Sequence, residues 1–81
     1  MPILLSEVMA VLEGHCSIEE AETLAHGLRQ MKRPRVDLSG CTHLHLAVLQ
    51  TLLAFRPLVA APPEDPFLGR LIAGLPSPPE D

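Results

Sequence analysis

Three short apolar runs alternate along this chain with three segments of helical spacing, and that alternation limits the folds open to it. The first run is Val8-Met9-Ala10-Val11-Leu12, within Glu7 to Glu13, and Gly14 is expected to break it. The second, Arg35-Val36-Asp37-Leu38, leads into a turn expected on Ser39-Gly40, and the third is Leu58-Val59-Ala60-Ala61. Runs this short and this apolar suit strands buried on both faces. Ile3-Leu4-Leu5 reads as a further short strand or a flap.

The intervening segments carry helix signals. Ser17-Ile18-Glu19-Glu20 has the form of a capping box, in which Ser17 accepts from the N–H three residues on and Glu20 reaches back. Ile18, Ala21, Leu24, Ala25, Leu28 and Met31 follow at core spacing, and Pro34 forbids continuation, so a helix is expected over 17–31. A second helix is expected over 44–55, ended by Arg56-Pro57. At about 100° per residue, Val48, Leu49, Leu52, Leu53 and Phe55 share its core arc. Ala47, Gln50, Thr51 and Ala54 fall opposite, with Leu46 at the boundary, and no charge lies among them. An ordinary solvent face would carry Lys or Glu, so this face is expected to be covered. Asp65-Pro66 supplies an N-cap and a first-turn proline for a third helix over 66–75, which Gly74 and Pro76 stop. The Pro-rich tail, 76–81, is expected to be disordered.

The order β-α-β-α-β-α implies parallel strands joined by right-handed crossovers. The expected fold is therefore α/β, with a small, mainly parallel sheet of three or four strands in one domain over residues 1–75. At 81 residues, with no Trp or Tyr and only Phe55 and Phe67 as aromatics, the core must be aliphatic and only marginally sufficient. A chain this small and this apolar is expected to have trouble hiding all its leucines, which favours a partner or self-association, a homodimer included.

The formal net charge of −4 argues against nucleic acid as a partner. Arg29, Lys32, Arg33 and Arg35 gather in one segment, which we read as cations complementing a helix C-terminus rather than as a phosphate patch. No apolar run approaches a membrane span. Met1-Pro2-Ile3-Leu4-Leu5 lacks a basic flank and meets Glu7 too early for a signal peptide. A cytoplasmic protein with reduced Cys16 and Cys41 is the expectation.

The residues offer three candidate chemistries. Cys41, His43 and His45 alternate and would share one side of an extended strand, which suggests a metal- or redox-responsive site; no recognised ligand spacing accompanies them. Cys41 beside His43, with Asp37 at the strand end, has the residue types of a nucleophile, base and orienter, but closeness in sequence is not geometry. Ser39-Gly40 lacks the further glycines and the lysine of a phosphate-cradling loop, and Asp37 is expected to accept backbone N–H bonds there instead. No enzymatic activity, metal or cofactor is expected.

The stretch Val36-Asp37-Leu38-Ser39-Gly40-Cys41-Thr42-His43-Leu44-His45-Leu46-Ala47-Val48-Leu49 resembles the central signature of the STAS family (sulfate transporter and anti-sigma factor antagonist domains). There a hydrophobic strand ends in Asp-Leu-Ser-Gly, and a helix opens shortly after on Asp-Ser/Thr-Ala-Gly-Leu. The likeness extends over about residues 8 to 75, although the chain is shorter than typical members and lacks a full N-terminal strand. What it implies is a bacterial cytosolic interaction module that binds an anti-sigma kinase-like ATPase or the ATPase subunit of a transporter. The contact helix would run from His45 to Phe55, and the phosphorylated Ser or Thr of the family corresponds to Leu46, which has no hydroxyl. The candidate partner surface is thus Leu46, Ala47, Gln50, Thr51 and Ala54, approached by Ser39, His43 and His45.

Overall fold

A computed structural model of the chain describes residues 3–76 and 78. Its elements are β1 (Ile3–Leu5), β2 (Ala10–Cys16), α1 (Ile18–Gln30), β3 (Arg35–Leu44), α2 (Leu46–Phe55), β4 (Leu58–Ala61) and α3 (Pro66–Ala73). They form an α/β fold around one four-stranded sheet in the order β1-β2-β3-β4. β1 runs antiparallel to β2, whereas β2, β3 and β4 are mutually parallel. The helix-joined strands are therefore parallel, as the alternation implies, and the short Ile3-Leu4-Leu5 run becomes an antiparallel edge.

Helix α1 starts where its capping residues say it should. The Glu20 carboxylate accepts from the Ser17 backbone N–H at 2.9 Å and from its hydroxyl at 2.6 Å. Leu24, Leu28 and, just past the helix, Met31 are buried; Ile18, assigned to the same stripe, is exposed. At the start of α3, the Asp65 carboxylate accepts from the Leu68 N–H at 2.9 Å, and Pro66 occupies the first turn.

One core joins the sheet to the helices. Ala10, Leu12, Val36 and Leu38 from the strands pack with Leu24 and Leu28 of α1, Val48 and Leu52 of α2, and Ile72 of α3. The intervening strand residues Val11, Glu13, Asp37 and Ser39 are half-buried or exposed, so the sheet is covered on one face. The strands are accordingly not buried on both faces as their apolar runs suggest. β1 touches the helical side through Leu5: a Cβ on Gly27 of α1 would lie 2.6 Å from Leu5 Cδ2, so a larger residue there would make the Leu5 side chain move.

Two strand boundaries differ from the sequence reading, for one reason. Gly14 does not end β2 but sits inside it at a φ of 67°, a conformation that suits glycine. Likewise, β3 does not turn at Ser39-Gly40 but continues to Leu44. Between the pairs Val11↔Asp37 and Glu13↔Gly40, and again between Gly14↔Cys41 and His15↔His43, β3 spends one more residue than β2. Ser39 and Thr42 are the extra residues, each accommodated as a bulge that lets pairing resume. The expected tail lies mostly outside the described residues.

Candidate functional site

The start of α2 is built by the end of β3. The His45 N–H donates to the Cys16 carbonyl at 2.9 Å, tying the strand exit to the end of β2. His45 is the N-cap, and its Nδ1 accepts from the Ala47 N–H at 3.0 Å, which requires the ring proton on Nε2. The helix thus begins at Leu46 rather than Leu44, because His45 already holds extended backbone. It ends at Arg56, whose left-handed φ of 49° lets its N–H bond to the Leu52 carbonyl before Pro57.

Leu46 is 63% exposed and Leu53 44%, with half-buried Leu49 and exposed Gln50 between them. Spacings of three, four and seven residues put all four on one stripe. Leu53 is therefore not a core residue as its arc suggested; Val48 and Leu52 alone of α2 are fully buried. Ala47, Gln50, Thr51 and Ala54 lie on the side of α2 that meets α1, with Ala47 and Thr51 half-buried and Gln50 and Ala54 exposed. They line a shallow groove with Ala21, Glu22 and Ala25 of α1. α1 packs beside this side of α2, and the small side chains of Ala47 and Ala54 permit the approach. Thr51 returns its hydroxyl to the Ala47 carbonyl at 2.9 Å, which removes its polar group from the groove. Arg29 closes one end, its guanidinium carbon 5.6 Å from the centroid of Phe55.

The expected trio of Cys41, His43 and His45 does not converge. The extra residue Thr42 breaks strict alternation, so Cys41 faces the core, whereas exposed His43 stacks on His15 with centroids 4.4 Å apart. His45 is committed to its cap. Among the described residues no group of three or more His, Cys, Asp or Glu could hold a metal ion. The same geometry separates Cys41 from His43 as nucleophile and base. Asp37, the supposed orienter, accepts instead from the Ser39 N–H at 2.9 Å and its hydroxyl at 2.7 Å, and these bonds hold its carboxyl below the usual range.

Residue pairing brings together a group the sequence did not suggest. Cys16 and Cys41 are both free thiols and both buried. The Cys16 thiol donates to the Glu13 carbonyl at 3.9 Å and the Cys41 thiol to the His43 carbonyl at 3.5 Å, and the neighbouring Cys16 thiol brings Cys41 down to about 7. The neighbouring Cys41 thiol, together with burial, pushes Cys16 strongly up, so Cys41 loses its proton first. Their 25-residue separation hid this, since it depends on both register slips.

Of the eight candidate partner residues, four line the groove beside α1, Leu46 heads the apolar stripe, and His45 caps the helix. His43 and Ser39 are exposed on β3, Ser39 bonded to Asp37. No helix among the described residues is long and apolar enough to cross a membrane. Comparison with family models, curated proteins and solved structures finds no match to this chain.

Proposed function

We propose that this chain is a non-catalytic protein–protein interaction module of the STAS-like kind, which docks a kinase-like ATPase or a transporter's ATPase subunit through α2. The observation that carries this reading is the solvent-facing apolar stripe at the start of α2, headed by Leu46 and continued by Leu53 without any charge. Such a stripe on the outer side of a packed helix costs solubility, and burying it against a partner would recover about 25 cal/mol for each Å² removed from water. The strand-to-helix signature supplies the resemblance, and the position after the His45 cap supplies the departure. Leu46 has no hydroxyl, so binding is not switched off by phosphorylation there; it is either constitutive or controlled by the partner. The reading makes the protein a bacterial cytoplasmic one.

The test is calorimetric titration of the chain with the histidine-kinase-like ATPases and transporter ATPase subunits of its own genome. Binding by the wild type that is lost in Leu46→Glu supports the reading. Equal binding by both, or none by the wild type to any such partner, overturns it. Sedimentation of the chain alone separates this from a self-associating domain, for which Leu46→Glu would dissociate a dimer.

A thiol-responsive reading draws on a different observation, the Cys16–Cys41 contact. Reaction with glutathione disulfide would join one half to Cys41 and release the other as thiol; attack by Cys16 would then release the second and close a Cys16–Cys41 bridge. Mass loss of two hydrogens without bound glutathione would report it.

A further inference from the structure

The outer side of α1 carries a stripe of its own, set beside the uncharged side of α2. Ile18, Glu22, Ala25 and Arg29 are spaced by four, three and four residues and so lie along one line of the helix. Ile18 is 59% exposed, Glu22 and Arg29 are exposed, and Ala25 is half-buried. The sign of the charge changes along that line, from Glu19 and Glu22 near the start to Arg29 in the last turn.

The two helices run side by side in the same direction. The bond from the His45 N–H to the Cys16 carbonyl brings their starts together, and the Arg29 guanidinium over the Phe55 ring marks their ends. That ring contact fixes where Arg29 sits without cancelling its charge. α2 contributes no charge between Leu46 and Phe55, so the paired face is negative at one end and positive at the other. A helix dipole favours this order of charges. It does not account for an isoleucine left in water at the head of the line, or for a neighbouring side without a single charge.

A face with one pole of each sign is complementary to itself turned end for end. We propose that a second copy of this chain docks there, its α1 antiparallel to the first, about a two-fold axis that crosses α1 at Ala25. Glu22 and Arg29 lie on either side of Ala25, about 10 Å apart along the helix. The two-fold sets Arg29 against the second copy's Glu22 and Glu22 against its Arg29, so one contact is made twice. Ala25 at the crossing, with no side chain beyond Cβ, lets the helices approach to about 8 Å. Ile18 is covered where the second α1 ends. Another protein would have to bring the matching charges itself, whereas a second copy already carries both.

This surface is separate from the docking stripe of α2, because Leu53 lies about 120° round that helix from Ala47, which meets α1. A standard interface buries about 800 Å² per partner, roughly a sixth of this chain's 5158 Å². Two helices of 13 and 10 residues offer no more than that, so the dimer should be reversible, with a dissociation constant of about 1–100 μM.

The experiment is sedimentation equilibrium of the full chain from about 5 μM to about 1 mM, at low and high salt. A monomer–dimer equilibrium that weakens as salt rises is expected. Glu22→Arg alone, or Arg29→Glu alone, sets like charges against each other twice and should weaken it at least about tenfold. Mixing the two single variants should restore it, since each supplies the charge the other has lost. Leu53→Glu should change it less than about twofold. Circular-dichroism melts confirm that each variant is folded, and Glu22→Arg, at an exposed position outside the Phe55 contact, decides alone if Arg29→Glu does not fold. A chain that stays monomeric at millimolar concentration overturns the proposal. So does a dimer unchanged by Glu22→Arg, a mixture of folded single variants that fails to associate, or a dimer lost in Leu53→Glu. Docking of an ATPase-type partner is read by its own titration, so the two readings fail separately.

Discussion

The two ends of β3 differ in almost every physical respect. At its exit, Leu44 hands over to the His45 cap and the uncharged stripe of Leu46, Leu49 and Leu53. At its entry, Arg35 opens into a pocket rimmed by four cations. Parallel strands joined by helices put the starts of helices at one end of the sheet and their ends at the other, so the two surfaces inherit opposite dipole signs. The chain exaggerates the contrast by gathering most of its positive charge at one end and none on the α2 stripe. One end presents apolar side chains, the other cationic ones, and a single strand keeps them apart.

The largest effect expected from probing this contrast lies in α2. Leu52→Glu buries a carboxylate in the core and should cost more than about 4 kcal/mol, enough to abolish a cooperative melt. Leu53→Glu, one residue on but exposed, should stay within about 1 kcal/mol of wild type by the same circular-dichroism melt. If the two behaved alike, the face assigned to the apolar stripe would be wrong.

Next in size is the binding effect. Leu46→Glu should weaken docking of an ATPase-type partner by about 2 kcal/mol or more, read by calorimetry, with an unchanged melting temperature. Lys32→Gln with Arg35→Gln should leave that affinity alone. A loss in both variants would show that the two ends form one surface.

Gly14→Ala should lower stability by about 1–2 kcal/mol in a denaturant titration, because its φ of 67° penalises a Cβ although the space around it is open. Partner binding should survive in the fraction that remains folded.

The smallest effect concerns acid. Hydrogen bonds from the Ser17 hydroxyl and then its backbone N–H hold Glu20 below its ordinary 4.5, and the Ser39 backbone N–H and then its hydroxyl hold Asp37 below 3.8. Each contribution is complete above the ordinary value and is lost as pH falls through the lower folded-state value. Melting temperature should therefore decline once pH drops below those values, and Ser39→Ala should make the decline shallower. A curve identical to wild type would mean that the Ser39 hydroxyl does not stabilise the Asp37 charge.

How far all this was legible in the sequence depended on range. Ser17, Glu20, Asp65 and Pro66 announced their helices because capping is settled within four residues. The apolar runs likewise announced the strands and their parallel order. The face of α2 could not be read in the same way: Leu53 and Val48 are equally apolar, and only the placement of α1 and the sheet decides which is covered. Small, uncharged residues on one side of α2 read as a covered face, yet beside α1 only Ala47 and Thr51 are half-buried while Gln50 and Ala54 stay exposed. The metal-like spacing of Cys41, His43 and His45 misled because periodicity assumes an unbroken strand. Arg56 joined the cationic pocket through β3–β4 pairing, which no local pattern encodes.

The slips in β3 also have a mechanical consequence. Between Ala10↔Val36 and Cys16↔Leu44 the two strands cover the same span, yet β3 uses two residues more than β2, roughly 6–7 Å of extra contour. A ribbon with one side longer than the other must curl, like the outer lane of a curved track. The surplus lies between Asp37 and His43, immediately before the chain enters α2. The heading on which Leu46 leaves the sheet is thus set by arc length as much as by side-chain chemistry. Shortening the strand by Thr42 alone would straighten the lane and re-aim the helix, with Cys41 still opposite Gly14 and His43 still opposite His15.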